Sequence, residues 1–205
     1  MGYDFEKTHE HILESALKSF SSVGFRASSI RQICRDAGVT NGAFYTHFDS
    51  KEDLFAKLVE PTVNEFFSLF SSEKERYMLV HSAEDIIPSL QQSFSSDELM
   101  IHFIYEHEAI FRLLLTASGG TPYEDFPAKL IEVEKSGTRS FFEQCLPYIA
   151  KPENLSENLG NQCSTMIVHT VFDCLLNGKK ESDTIRETQL ASEFCLEGLR
   201  AVLGL

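Results

Sequence analysis

The chain has 205 residues, 42% of them hydrophobic, and carries 18 Lys and Arg against 31 Asp and Glu, for a formal net charge of −13. A chain of this length and composition can bury a substantial core, as one large or two small domains. No apolar run approaches the roughly 18 residues of a membrane span, and the first residues lack the basic and then apolar pattern of a signal peptide, so we expect a cytoplasmic protein.

The N-terminal region carries apolar residues at helical spacing, and then two short motifs. The apolar residues are Ile12, Leu13, Ala16 and Phe20. The motifs are Gly24-Phe25 and Ser28-Ser29, and Ile30 and Ile33 come after them.

A further break follows at residues 37–39. Gly38 can adopt the left-handed conformation that ends a helix, and the hydroxyl of Thr40 can cap the next one. Because the connection is only a few residues long, the two helices must cross at a steep angle, as in a helix-turn-helix. The second helix of that motif places its N-terminal residues in the major groove of DNA.

The helix after this turn carries residues suited to DNA contact. Residues 41–43 (Asn-Gly-Ala) are small or polar and permit close approach. Phe44 and Phe48 share one face, so Tyr45 and His47 project elsewhere, and we interpret both as phosphate contacts.

A further helix begins after Ser50, whose hydroxyl can cap it, with Asp53 three residues on in an approximate capping box. Lys51 lies at the start of this helix. Free backbone N–H groups and an ammonium group together favour a DNA phosphate at this position.

In this order and spacing, these motifs resemble the tetracycline-repressor (TetR) family of bacterial transcription regulators over roughly residues 9–58. The resemblance does not extend to residues 60–205. It implies an all-α protein, with an N-terminal three-helix helix-turn-helix DNA-binding domain over residues 1–50 and a C-terminal helical effector-binding and dimerisation domain over residues 51–205. The expected DNA-binding residues are Ser28, Ser29, Arg31, Thr40, Asn41, Gly42, Ala43, Tyr45, His47 and Lys51.

The negative charge is concentrated in the second predicted domain. Residues 1–60 carry 7 basic against 9 acidic side chains, and residues 61–205 carry 11 against 22. Repulsion between the acidic second domain and DNA opposes the sequence-independent attraction of basic side chains to DNA phosphates. We therefore expect specific DNA binding with weak non-specific binding.

Beyond residue 60 the pattern is helical, without alternating strands. Pro61 predicts either a kink or a new helix, and the polar residues 71–84 are either a linker or a frayed helix end. Helices are predicted near residues 50–72, 83–95, 97–118, 123–148, 156–178 and 184–203.

The last two helices carry apolar stripes rich in small residues, which favour close packing in a four-helix homodimer interface. The alternative is packing within one monomer. A dimer would match a palindromic operator, because one short recognition helix reads few base pairs. The predicted interface residues are Cys163, Ile167, Thr170, Cys174, Phe194, Gly198 and Leu199.

Seventeen phenylalanines and no tryptophan give the chain a heavy aromatic load. Most of these rings must be core, but polar residues among them predict an apolar pocket for a small molecule, neutral or cationic given the acidic body. The resemblance implies that this effector releases DNA. The candidate ligand residues are Phe66, Phe70, His102, Phe103, Tyr105, Glu106, Tyr123, Phe141, His169 and Phe172.

Other functions find less support in the sequence. His102 with Glu106, and His169 with Asp173, have metal-ligand spacing, but neither pair forms the zinc hydrolase motif, and no nucleophile, phosphate-binding or dinucleotide motif is present. We therefore expect no enzyme activity, no cofactor and no metal. The five cysteines include no Cys-x-x-Cys pair and are interpreted as buried, reduced thiols. The alternative function is a helical ligand- or metal-binding protein without defined operator recognition.

Overall fold

The computed structural model describes residues 4–77 and 80–205, which form helices and contain no β-strand. This confirms the predicted all-α fold. The helices are α1 (Phe5–Ala27), α2 (Ile30–Ala37), α3 (Asn41–Phe44), α4 (Lys51–Tyr77), α5 (Ala83–Glu106), α6 (Glu108–Thr116), α7 (Phe126–Cys145), α8 (Glu157–Leu176) and α9 (Glu181–Leu203), with short 3-10 turns at Leu146–Tyr148 and Pro152–Asn154.

The first four helices begin at side chains that accept a hydrogen bond from the backbone three residues on, which satisfies an N–H group that the helix itself leaves unpaired. These caps are Asp4, Ser29, Thr40 and Ser50. The predicted caps at Thr40 and Ser50 are confirmed. The carboxylate of Asp53 accepts from the backbone of Asp49 at 3.0 Å, which completes a variant of the capping box.

Helix α4 continues through Pro61 to Tyr77, so of the two alternatives at this proline a new helix does not occur. The predicted helix over residues 97–118 was wrong, because a break at His107 separates α5 from α6. The predicted break near residue 96 was wrong, because α5 runs unbroken to Glu106. The hydroxyls of Ser95 and Ser96 donate to the carbonyls one turn earlier, so the polar side chains are accommodated inside the helix. Residues 78–79, within the predicted linker, lie outside the described residues.

The chain divides into two compact units. The first extends to Glu65 and also includes His107–Pro127, and the second comprises Phe66–Glu106 and Ala128–Leu205. A separately folding domain over residues 1–50 remains a prediction. Within the described ranges, no helix combines the length and apolarity of a membrane span.

Each unit has its own core. In the first unit the fully buried rings of Phe20 and Phe55 lie 5.3 Å apart between centroids, and Phe44 and Phe111 are also inaccessible to solvent. In the second unit one cluster joins α5, α7 and α9, and it consists of Val80, Ile86, Phe141, Phe142, Cys145, Ile149, Leu199 and Leu203.

Candidate nucleic-acid interface

The turn between α2 and α3 has the geometry that the sequence predicts. Gly38 has φ 70° and ψ 27°, in the left-handed region, and its N–H donates back to the end of α2. The N–H of Val39 donates to the carbonyl of Cys34 at 2.9 Å. Since α3 begins at Asn41, only three residues connect the two helices, as in a helix-turn-helix.

Helix α3 has a buried face and an open face. Phe44 is fully buried, whereas Tyr45 is 58% exposed, and Asn41 and Gly42 are also exposed. A Cβ atom added at Gly42 would meet only the hydroxyl of Thr40, at 3.8 Å. The outer face of α3 is therefore free of bulky side chains at its first turn, where a DNA edge would approach.

The side chain of His47 packs against α1. Its ring centroid lies 4.0 Å from that of Phe5 and 5.5 Å from that of His9. Burial lowers the pKa of His47, the neighbouring His9 lowers it further, and Glu6 opposes both. The ring is therefore neutral near pH 7 and would approach a phosphate as an N–H donor, without a positive charge.

Lys51 makes contacts that the sequence analysis missed. Its Nζ donates to the carbonyls of Phe25 at 2.7 Å and Ser28 at 3.0 Å, and lies 4.3 Å from the centroid of the Phe25 ring. The helical conformation of α1 breaks at Gly24, with φ 78°, so carbonyls near this break need partners from elsewhere in the fold. An ammonium group has three N–H donors, and two of them are thus used inside the first unit.

The remaining expected DNA residues differ in their exposure. Ser28 is buried, and its hydroxyl donates to the Phe25 carbonyl at 2.8 Å. Ser29, Arg31 and Thr40 are exposed, while Ala43 is half-buried. The structure thus gathers the exposed residues around α2 and the start of α3, and it adds Arg35, also exposed, at the end of α2.

A cavity in the second unit is the candidate effector site. Its volume is about 90 Å³, and α5, α7, α8 and α9 line it with apolar, hydroxyl, thiol and carboxylate side chains. The carboxylates are Asp97 and Glu134, which also line a smaller neighbouring cavity of about 40 Å³. A wider groove of about 330 Å³ shares Thr138 and Phe142 with the first cavity.

Four of the candidate ligand residues line the two enclosed cavities. Phe141 lines the cavity of about 90 Å³, and Phe66, Phe70 and Phe172 line the cavity of about 40 Å³. Phe103 is buried with its ring centroid 5.9 Å from that of Phe66.

The polar ligand candidates lie elsewhere. His102 is exposed and pairs with Glu181 at 2.9 Å, and Tyr105 donates to the Lys179 carbonyl at 3.0 Å. Tyr123 belongs to the first unit, where burial, followed by the charge and hydrogen bond of Glu60, raises its pKa to about 12. Glu106 and His169 are exposed.

The sequence analysis missed Asp97 and Glu134 because each reads as an ordinary polar position on an amphipathic helix. Their half-buried location is set by packing between helices that are distant in sequence. Across the part of the chain that the structure describes, no group of three or more His, Cys, Asp or Glu side chains is arranged to hold a metal ion.

The expected dimer residues lie on two different faces. Cys163 and Ile167 line the cavity of about 90 Å³, Cys174 and Leu199 are buried, and Thr170 is half-buried. On α9 a contiguous apolar strip remains exposed in the single chain. It contains Leu190, Phe194, Gly198, Ala201 and Val202, with Phe194 73% exposed and no atom within 4 Å of a Cβ added at Gly198, and the half-buried Ala191 lies beside it in sequence.

Known proteins resemble this chain most strongly in the region of α1 to α4. A family model described as "Bacterial regulatory proteins, tetR family" matches residues 12–58. The HTH-type transcriptional regulator AcrR of Shigella flexneri is 46% identical over 55 residues, which cover 27% of this chain and 26% of AcrR. The chain thus matches about a quarter of the length of this relative.

Two further similarities cover nearly the whole chain. An HTH-type transcriptional regulator of Haemophilus influenzae is 25% identical over 193 residues, which cover 94% of this chain and 87% of that protein. The structure of SmeT, the repressor of the Stenotrophomonas maltophilia multidrug efflux pump SmeDEF, aligns over 94% of this chain and 91% of its own, with TM-score 0.61 and 16% identity. At this identity the structural match establishes the fold alone.

Proposed function

Because the chain belongs to the tetR family of bacterial regulatory proteins, we propose that it is a homodimeric transcriptional repressor that a small-molecule effector releases from a palindromic DNA operator. The observation that carries the proposal is the open outer face of α3. Asn41, Gly42 and Tyr45 are exposed there, while Phe44 anchors the opposite face in the core. This exposure supports contact between the first turn of α3 and base edges, and donation from the Tyr45 hydroxyl to a phosphate.

The exposed arginines of α2 support this orientation. Arg31 and Arg35 are solvent-accessible on the helix that precedes the turn, and an arginine can bind a phosphate with two parallel hydrogen bonds. The backbone N–H groups at the start of α2 and α3 add partial positive charge on the same segment. These groups place positive charge locally on the surface that is proposed to face DNA.

The experiment begins with selection of bound sequences from a random duplex library, since the operator sequence is not encoded in the protein. We expect enrichment of a palindrome with half-sites about one helical turn apart or a multiple of it. Gly42→Leu should fold, because the added side chain meets open space, but should abolish binding to the selected duplex by blocking approach. Gly119→Leu is the matched control, since Gly119 is exposed and also has no neighbour within 4 Å of a Cβ.

Two results would refute the DNA-binding proposal. One is a library that yields no enriched sequence. The other is a Gly42→Leu variant that binds the selected duplex as tightly as the wild type, because the leucine would then point away from the DNA.

The homodimer is proposed on the exposed apolar strip of α9. Phe194 leaves a large ring in water, and Gly198 leaves room for the backbone of a neighbouring helix to approach closely. Pairing this strip with its copy about a two-fold axis would bury both. Two-fold pairing would also present two α3 helices to the two halves of a palindrome.

The effector is proposed to bind the cavity lined by Phe141, Asp97 and Glu134. Two carboxylates beside apolar rings disfavour an anion and favour a neutral or cationic apolar compound. SmeT is described as the repressor of a multidrug efflux pump. By analogy, the target gene of this protein would encode a transporter or an enzyme that removes the effector.

A further inference from the structure

Two of the five cysteines face one another at the effector cavity. Cys163 of α8 and Cys195 of α9 both line it, and their thiol groups are hydrogen-bonded to each other. Cys34, Cys145 and Cys174 are buried, and none of them lines this cavity. The fold therefore brings together one thiol pair beside a space that a small molecule can enter.

The two thiols of the pair differ in acidity. The hydrogen bond from Cys195 lowers the pKa of Cys163 and outweighs the opposing effect of burial. The same hydrogen bond, followed by burial and the charge of Cys163, raises the pKa of Cys195. By comparison, burial alone raises the pKa of Cys145 to about 12. Cys163 is thus the thiol that ionises first, and the thiolate is the reactive form of cysteine.

The surroundings of the pair limit which reagents reach it. The cavity volume is about 90 Å³, which is small for a ligand pocket and favours a small solute. Asp97 on α5 and Glu134 on α7 are the charged residues of the cavity wall, and both disfavour anions. Hydroxyl groups line it too, including Thr138 and Ser164, which are hydrogen-bonded at 2.6 Å. The site therefore selects a small neutral reagent.

We propose that Cys163 and Cys195 form a modification site at which small neutral hydroperoxides produce an intramolecular disulfide. The Cys163 thiolate attacks the terminal oxygen of the hydroperoxide, so that an S–O bond forms while the O–O bond breaks. The departing alkoxide takes the proton of the Cys195 thiol and leaves as an alcohol.

The second step joins the two sulfurs. The Cys195 thiolate attacks Sγ of the Cys163 sulfenic acid, the S–S bond forms, and the hydroxide that leaves combines with the proton that Cys163 released on ionisation. In total, two thiols and one hydroperoxide give one disulfide, one alcohol and one water. The two electrons that the thiols lose reduce the O–O bond.

The disulfide would also change the cavity. Both sulfurs belong to its wall, so the bond would tie α8 to α9 at that point and reduce the space for an effector. This consequence rests on the proposed effector site, whereas the oxidation itself depends only on the pair.

The test uses the full-length reduced protein, freed of reductant and treated with hydrogen peroxide in small excess. We expect loss of two of the five thiols in each chain, a mass decrease of about 2 Da, and a peptide in which Cys163 is linked to Cys195, all reversed by dithiothreitol. Cys195→Ser should stop at a sulfenic acid on Cys163 that dimedone traps. Cys174→Ser is the matched control and should still form the disulfide.

Three results would overturn the proposal: linkage of either cysteine to a different one, linkage only between chains, or oxidation of Cys34 and Cys174 as fast as that of the pair. The peptide map of the wild type decides the matter even if a variant fails to fold. Because the assay contains neither DNA nor effector, a failure of the proposed repressor function would leave its outcome unchanged.

Discussion

Replacing Lys51 with methionine distinguishes a structural lysine from a phosphate ligand. Methionine keeps the apolar stem over the Phe25 ring but removes the ammonium group that bonds the Phe25 and Ser28 carbonyls. Hydrogen bonds from charged donors contribute about 1.5–3 kcal/mol each, and a cation over an aromatic ring about 0.5–1 kcal/mol. Because the lysine is only part-buried and water can replace some of these contacts, we expect a net loss of about 2–3 kcal/mol.

The free energy of unfolding can be measured by urea titration followed by far-ultraviolet circular dichroism, since the chain has no tryptophan for fluorescence. Lys57→Met is the matched control. Lys57 lies on the same helix but is exposed, so its replacement should change stability by less than about 0.5 kcal/mol.

The refuting result is a Lys51→Met variant as stable as the Lys57→Met control. A different outcome would assign the ammonium group to a DNA phosphate instead. In that case Lys51→Met would be stable but would bind DNA more weakly, and the slope of log Kobs against log salt concentration would be smaller by about one unit.

Three further predictions concern the second unit. Gly198→Arg should fold but remain monomeric by sedimentation, whereas Gln189→Arg, on the polar side of α9, should stay dimeric; a monomeric wild type would contradict the interface. The hydrogen bond to Glu181, followed by the negative charge of Glu181, raises the pKa of His102 above 6.5. The thermal midpoint of the wild type should therefore exceed that of His102→Gln below about pH 6, and the two midpoints should match by about pH 9. A difference between the midpoints that does not depend on pH would show that the pair is not formed. Effectors found by thermal shift should weaken operator binding roughly 5–150-fold, the range that a coupling of 1–3 kcal/mol gives, and hits that all leave DNA affinity unchanged would reject the switch.

Local signals explain why the DNA-binding segment could be predicted from the sequence. The left-handed Gly38, the caps at Thr40 and Ser50, and the pairing of Phe44 with Phe48 each depend on residues within about one helical turn. Such short-range rules apply before the tertiary fold is known.

The contacts that the sequence did not predict join residues far apart in the chain. Lys51 contacts carbonyls 23 and 26 positions earlier, and His102 meets Glu181 79 positions later. Both partners are set by tertiary packing, which no local pattern encodes. The wrong break near residue 96 has a different cause, because the hydroxyls of Ser95 and Ser96 bond to carbonyls four residues earlier in the same helix.

The peptide of Phe25 shows how the orientation of α2 and α3 depends on the rest of the first unit. Its N–H donates to the Ala117 carbonyl at 2.9 Å, and its carbonyl accepts from Lys51 at 2.7 Å. One partner follows α6, which lies within the first unit, and the other begins α4, which continues past Glu65 into the second unit. Because α2 starts only five residues after Phe25, a shift of either partner would change the direction in which α2 and α3 leave α1. An effector that displaces α4 or α6 would therefore act on DNA affinity through the two hydrogen bonds of the Phe25 peptide. Lys51→Met should then reduce the coupling between effector and operator as well as the free energy of unfolding.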